Sequence, residues 1–90
     1  PGSSWQLTGR SPLSLPKPTY NSNKTGKVVV TIVVNAQGQV IEATPGAKGT
    51  TVTDAALYAV ARDAAKKAKF SENANKDKQI GTITYNFIIK

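Results

Sequence analysis

The sequence predicts a small α+β domain: a three-stranded antiparallel sheet, one main helix on one face, and an extended N-terminal arm alongside. Three stretches carry that prediction. "KVVVTIVV" followed by "NAQG" and "QVIEA" reads as a β-hairpin. "TVTDAALYAVARDAAKKAKF" is alanine-rich with helical spacing, and "GTITYNFIIK" alternates polar and apolar residues. At 90 residues the chain suits a single domain, with an economical core.

The first 26 residues are polar and turn-rich. Pro1-Gly2-Ser3-Ser4 reads as a linker or expression scar, and residues 1–8 are assigned to it, with 9–90 as the domain. Pro12, Pro16 and Pro18 forbid a regular helix and push Ser11, Leu15 and Lys17 towards extended backbone. Trp5, Leu13, Leu15 and Tyr20 are the apolar anchors expected to pin this arm across a core.

Lys27–Val34 is the strongest strand signal, a β-branched run expected to lie centrally in its sheet. Asn35 and Gly38 bound the turn, and Gly38 accepts a positive φ without steric cost. The return strand is Gln39–Ala43, and Thr44–Thr50 is a loop. The helix is expected over Val52–Lys69, with Thr51 and Asp54 resembling a capping box. Leu57, Val60, Ala61, Ala64 and Ala68 share one face, and Lys66, Lys67 and Lys69 complement the helix dipole in the last turn. After a polar loop, Ser71–Gln79, the closing strand docks beside a hairpin strand once the helix has crossed one face.

Composition narrows the chemistry. With neither Cys nor His there is no disulfide framework, no thiolate metal site and no imidazole base. The five carboxylates, Glu42, Asp54, Asp63, Glu72 and Asp77, form no acid/base pair or calcium loop by spacing. An enzyme is therefore not expected, nor a cofactor or metal. The net charge of +7 could steer the domain to an anionic partner, but the lysines are scattered rather than clustered with aromatics, so solubility is the leading reading and no nucleic-acid partner is expected, with a basic nucleic-acid-binding module as the alternative. "PGAKGT" has the wrong spacing for a phosphate loop and reads as a turn. Tyr85 and Phe87 share their face with Ile83 and Ile89, the face expected under the helix, which makes them core rather than a base-stacking platform.

What remains is the backbone of the last strand. A strand with an unpaired edge binds an extended peptide by accepting it as another strand, with main-chain hydrogen bonds supplying affinity. The assembled residues resemble the C-terminal domain of TonB, the periplasmic energy transducer of Gram-negative bacteria, in a version like those of Bacteroides-type bacteria. "PKPTY" is similar to the proline-tyrosine element that opens that domain. Gly26, Val28, Val30, Ile32, Val34, Gly38 and Val40 fall in register with its hairpin, "DAALYAVARDAAKKAKFSE" stands in the place of its helix, and "GTITYNFIIK" in that of its closing strand. The chain departs from the pattern at Ala68 and Glu72, near which the family often has tryptophan and proline, and at Lys17, where glutamine is common.

The resemblance implies a periplasmic domain of an inner-membrane-anchored protein that works with ExbB and ExbD. It would grip the TonB box and plug of outer-membrane transporters by strand addition and transmit proton-motive-force-derived energy for siderophore or nutrient uptake. By position it implies Thr82, Ile83, Thr84, Tyr85, Asn86, Phe87 and Ile88 as the pairing edge, with Lys17, Thr19 and Tyr20 touching the box or plug. The same domain type occurs on sensor-peptidases. Self-pairing of the last strand would give a strand-exchanged homodimer instead of a monomer.

Overall fold

A computed structural model describes residues 3–18 and 24–87. In chain order the elements are β1 (Ser3–Gln6), β2 (Pro12–Ser14), β3 (Gly26–Val34), β4 (Val40–Pro45), α1 (Ala55–Lys66), β5 (Lys69–Phe70) and β6 (Gln79–Phe87). The domain is α+β with antiparallel pairing throughout, but the main sheet has four strands, not three, in the order β1-β6-β3-β4. The added strand comes from residues assigned to the linker. β2 and β5 form a separate two-stranded ribbon.

β3 is central, as its composition requires. Val28, Val29 and Val30 are all buried, so the strand is covered on both faces where it is most continuously apolar. The hairpin turn forms where expected. Asn35 Oδ1 accepts hydrogen bonds from the backbone N–H groups of Gln37 (3.1 Å) and Gln39 (2.9 Å), and Gly38 has φ +86°. The return strand carries a bulge. Val34 pairs with Val40 and Val33 with Glu42, which leaves Ile41 unpaired with β3. The bulge lets Val40 and Ala43, an odd number of residues apart, both pack against the core.

The helix is shorter than its periodicity suggests. It starts at Ala55 and not Val52, and ends at Lys66 and not Lys69. Its N-cap is Asp54, whose Oδ1 accepts from Leu57 N at 2.9 Å, rather than Thr51. Thr51 is otherwise occupied: its Oγ1 accepts from Lys27 N (2.9 Å), and Thr50 Oγ1 accepts from Val29 N (3.0 Å). These two hydroxyls, with backbone bonds from Ala47 N to Val29 O and Thr51 N to Lys27 O, seal the part of β3 that β4 does not reach. Lys69 belongs to β5 and bridges Gln39, so strand pairing stops the helix.

Leu57, Ala61, Ala64 and Ala65 face the sheet, and Ile83, Tyr85 and Phe87 lie buried in the same core, as the alternation of the last strand predicts. Among the expected anchors of the arm, Trp5 and Leu15 pack on the core, but Leu13 is 69% exposed. Leu7 takes the buried position instead. Tyr20 lies outside the described residues.

Candidate strand-capture edge

The closing strand supplies the candidate site. One side of β6 is paired along its whole length with β3, from Gly26 opposite Phe87 to Val34 opposite Gln79. The other side carries β1: Ser3 lies opposite Tyr85, Ser4 opposite Thr84, Trp5 opposite Ile83 and Gln6 opposite Thr82. Four of the seven positions expected as a pairing edge, Thr82–Tyr85, are therefore occupied by a strand of the same chain. Asn86 and Phe87 continue β6, and Ile88 lies outside the described residues.

β1 forms because its four residues suit an edge. Ser3, Ser4 and Gln6 are exposed, while Trp5 turns inward. The Trp5 ring meets Phe70 edge-on, with centroids 6.1 Å apart and planes at 66°. Gly81 sits where β1 leaves the sheet. A Cβ there would collide with the Gln6 carbonyl and the Leu7 side chain, so only glycine admits this approach. Beyond Leu7 the chain turns through Gly9 at φ +79°.

Below the seam, Arg10 fixes the arm. It is 4% exposed, and no carboxylate accepts from it among the described residues. Its guanidinium donates Nε to Gln79 Oε1 (2.8 Å), Nη1 to Asn35 O (2.7 Å) and Ser71 O (3.3 Å), and Nη2 to Lys76 O (2.7 Å). Gln79 in turn donates Nε2 to Thr8 O at 2.7 Å. One side chain thus ties together the hairpin turn, the loop before β6, and the first residue of β6. The planar guanidinium suits this role, since it offers five donors in fixed directions.

Two clefts flank the seam, one at the end where β1 leaves the sheet and one across the sheet face. A cleft of about 310 Å³ lies between Gln6–Thr8 and Gln79–Thr82, and another of about 300 Å³ lies where Ser4 and Gln6 meet Thr82, Thr84, Lys27 and Lys48. Lys17 lies elsewhere. It is exposed and lines a cleft of about 160 Å³ with Pro16, Pro18, the α1 residues Val60, Asp63 and Ala64, and Lys67, the residue that caps the helix C-terminus. Thr19 and Tyr20 are outside the described residues.

Two ionisable groups are perturbed near these elements. The ion pair and hydrogen bond from Lys24, and the capping bond from Leu57 N, hold the Asp54 carboxyl below its usual value of 3.8. Burial pushes the Tyr85 hydroxyl up to about 12, and that hydroxyl has no hydrogen-bond partner among the described residues.

Sequence reasoning missed Trp5 as a strand residue, gave Arg10 no role, placed Gln79 in the loop before the last strand, and read Gly81 only as the opening residue of that strand. For Trp5 a signal existed: Ser4-Trp5-Gln6-Leu7 alternates polar and apolar over four residues. Arg10 offered none, because a lone arginine after a glycine has no periodicity to mark it as buried.

No protein-family model, no curated protein and no solved structure matches this chain.

Proposed function

We propose that this is a non-catalytic peptide-capture domain of the TonB C-terminal type, in which β6 receives an extended segment as an added strand and β1 holds that place until the segment arrives. The observation that carries the reading is the occupancy of Thr82–Tyr85 by a four-residue, largely exposed strand. A β-edge that accepts a strand from its own arm has the spacing, backbone polarity and flanking pockets to accept one from elsewhere. The short resident strand also answers the hazard of a nearly uncharged strand at a sheet margin, which invites uncontrolled pairing.

In this reading the incoming segment is the TonB box of an outer-membrane transporter, and the parent protein is an inner-membrane-anchored transducer coupled through other regions to ExbB and ExbD. The domain acts in the periplasm and its work is mechanical. Hydrogen bonds along the added strand, loaded parallel to the strand axis, share the force and resist shear better than peeling. The resemblance of the hairpin, helix and closing strand to the TonB domain supports this assignment, together with the position of β6.

The test is an NMR titration of the labelled domain with an uncharged TonB-box-like peptide at low and high salt. Expected are shifts at the amides of Thr82–Phe87 and of Ser3–Gln6, with the latter moving towards random-coil positions, at both ionic strengths. Shifts spread over the lysines and abolished by salt would refute strand capture and favour a nucleic-acid-binding surface.

A further inference from the structure

The sheet has a second margin, at β4. Among the described residues no strand pairs with its outer side; only Gln39, just before it, bridges to Lys69. α1 runs antiparallel beside β4, and the two enclose a groove. At one end Pro45 shares a cleft of about 260 Å³ with Ala55, Ala59 and Arg62. At the other, Ile41 shares a cleft of about 450 Å³ with Lys66 and Lys69.

The helix wall of this groove is a single face. Ala55, Ala59, Arg62 and Lys66 follow at spacings of four, three and four, and all are exposed. The face carries Ala55 and Ala59 with Arg62 beside Pro45, and Lys66 beside Ile41. No carboxylate lines either cleft. Glu42 pairs with Val33, so it lies on the sheet surface opposite to Ala43, which packs on the core under α1.

We infer that this groove binds an extended acidic segment of a partner protein, added as a short strand to β4 with alternate carboxylates against Arg62 and Lys66. Two spacings agree. Residues i and i+2 of a strand lie about 6.6 Å apart on one face. Arg62 and Lys66 are separated by a rise of about 6 Å along the helix. A partner that alternates acidic and apolar residues would place its carboxylates on the cations while its backbone pairs with β4.

The bulge at Ile41 and the missing N–H of Pro45 confine the usable edge to Glu42–Thr44. Few main-chain bonds are available, so charge carries much of the affinity. That distinguishes this surface from the β6 edge, where the pairing residues are uncharged. A second copy of the chain does not fit, since its net charge is +7 and no two of its five carboxylates stand two residues apart.

The test uses the ¹⁵N-labelled domain and a capped seven-residue peptide of alternating glutamate and valine. Expected are amide shifts at Glu42–Thr44 and Lys66–Lys69. The double variant Arg62→Glu with Lys66→Glu, both at exposed positions, should weaken binding about tenfold with an unchanged circular dichroism spectrum. A peptide of the same composition with its glutamates in one block should bind several-fold more weakly. Shifts confined to Thr82–Phe87, or equal affinity for the double variant or the block peptide, would overturn the inference. So would a single-stranded oligonucleotide that binds equally well without moving the Glu42–Thr44 amides. Capture at β6 is read separately, with an uncharged peptide and the amides of Thr82–Phe87 and Ser3–Gln6, so loss of binding at Glu42–Thr44 leaves that reading standing.

Discussion

If β1 holds the β6 edge against an incoming peptide, weakening β1 should strengthen binding. Trp5→Ala is the direct perturbation. A fully buried tryptophan removes 150–250 Å² from water, and at about 25 cal/mol per Å² half of that burial is worth about 2–3 kcal/mol, an upper estimate because the undocked strand keeps some contacts. Trp5 is half-buried against Phe70 and the core. Taking about 2 kcal/mol as its share of the docking free energy, the population with an open edge rises about 30-fold. Apparent affinity rises by the same factor until the edge is fully open, where the gain stops. Isothermal titration of the wild type and variant with the uncharged peptide reads this directly.

A reciprocal perturbation locks the strand. Ser4 and Thr84 are cross-strand partners, and the chain contains no cysteine, so Ser4→Cys with Thr84→Cys introduces one defined pair. Oxidised, it should lose peptide binding; reduced, it should regain it. Unchanged or weaker binding by Trp5→Ala, with its helical signal intact, would refute the competition between β1 and the peptide.

Arg10→Ala should destabilise the domain by about 2–4 kcal/mol, since four acceptors lose a charged donor and some stay buried; urea denaturation reads the loss, and a change below about 0.5 kcal/mol would mean the knot is dispensable. Tyr85→Phe should stabilise by about 1 kcal/mol by removing an unpartnered buried hydroxyl. Because the Tyr85 pKa is raised from 10.0 to about 12, its titration leaves stability untouched below pH 10 and lowers it as pH rises from there towards 12, where the unfolded chain ionises and the folded one does not. The phenylalanine variant should lack that alkaline loss in melting temperature. Asp54 has the opposite sign. Its folded pKa lies below 3.8, so its contribution is present above that value and lost as pH falls below it. Asp54→Asn should flatten the acid limb of a denaturation-midpoint profile.

The elements with a strong internal period were legible in the sequence. β3, the hairpin turn, the buried face of α1 and the inward set of β6 follow from β-branching, one asparagine-glycine turn and the alternation of Ile83, Tyr85 and Phe87. Helix length was not, because Thr51 and Lys69 hold residue types that suit a helix end yet are claimed by strand pairing. β1 was hidden by its brevity: four residues, one of them apolar and inward, form a strand only because β6 offers them a ladder. Of the candidate site, the identity of β6 could be read from its sequence. Its occupancy could not, since that depends on Gly81 and Arg10, residues whose roles appear only when distant segments meet.

The pairing of β1 with β6 joins residues 76 to 82 positions apart. Closing so long a loop is entropically slow compared with forming the local β3–β4 hairpin. We therefore expect the hairpin, the helix and the β3–β6 ladder to form before β1, a four-residue strand at the sheet margin, docks on them. By the same reasoning it is the first to leave, through a local opening that spares the rest of the domain. The two sides of β6 thus keep different clocks. Backbone amides turned towards β3 should exchange with solvent only as fast as the whole domain unfolds, while those turned towards β1 should exchange whenever the arm lifts, and under the proposed function that interval is the time an arriving strand would have to bind.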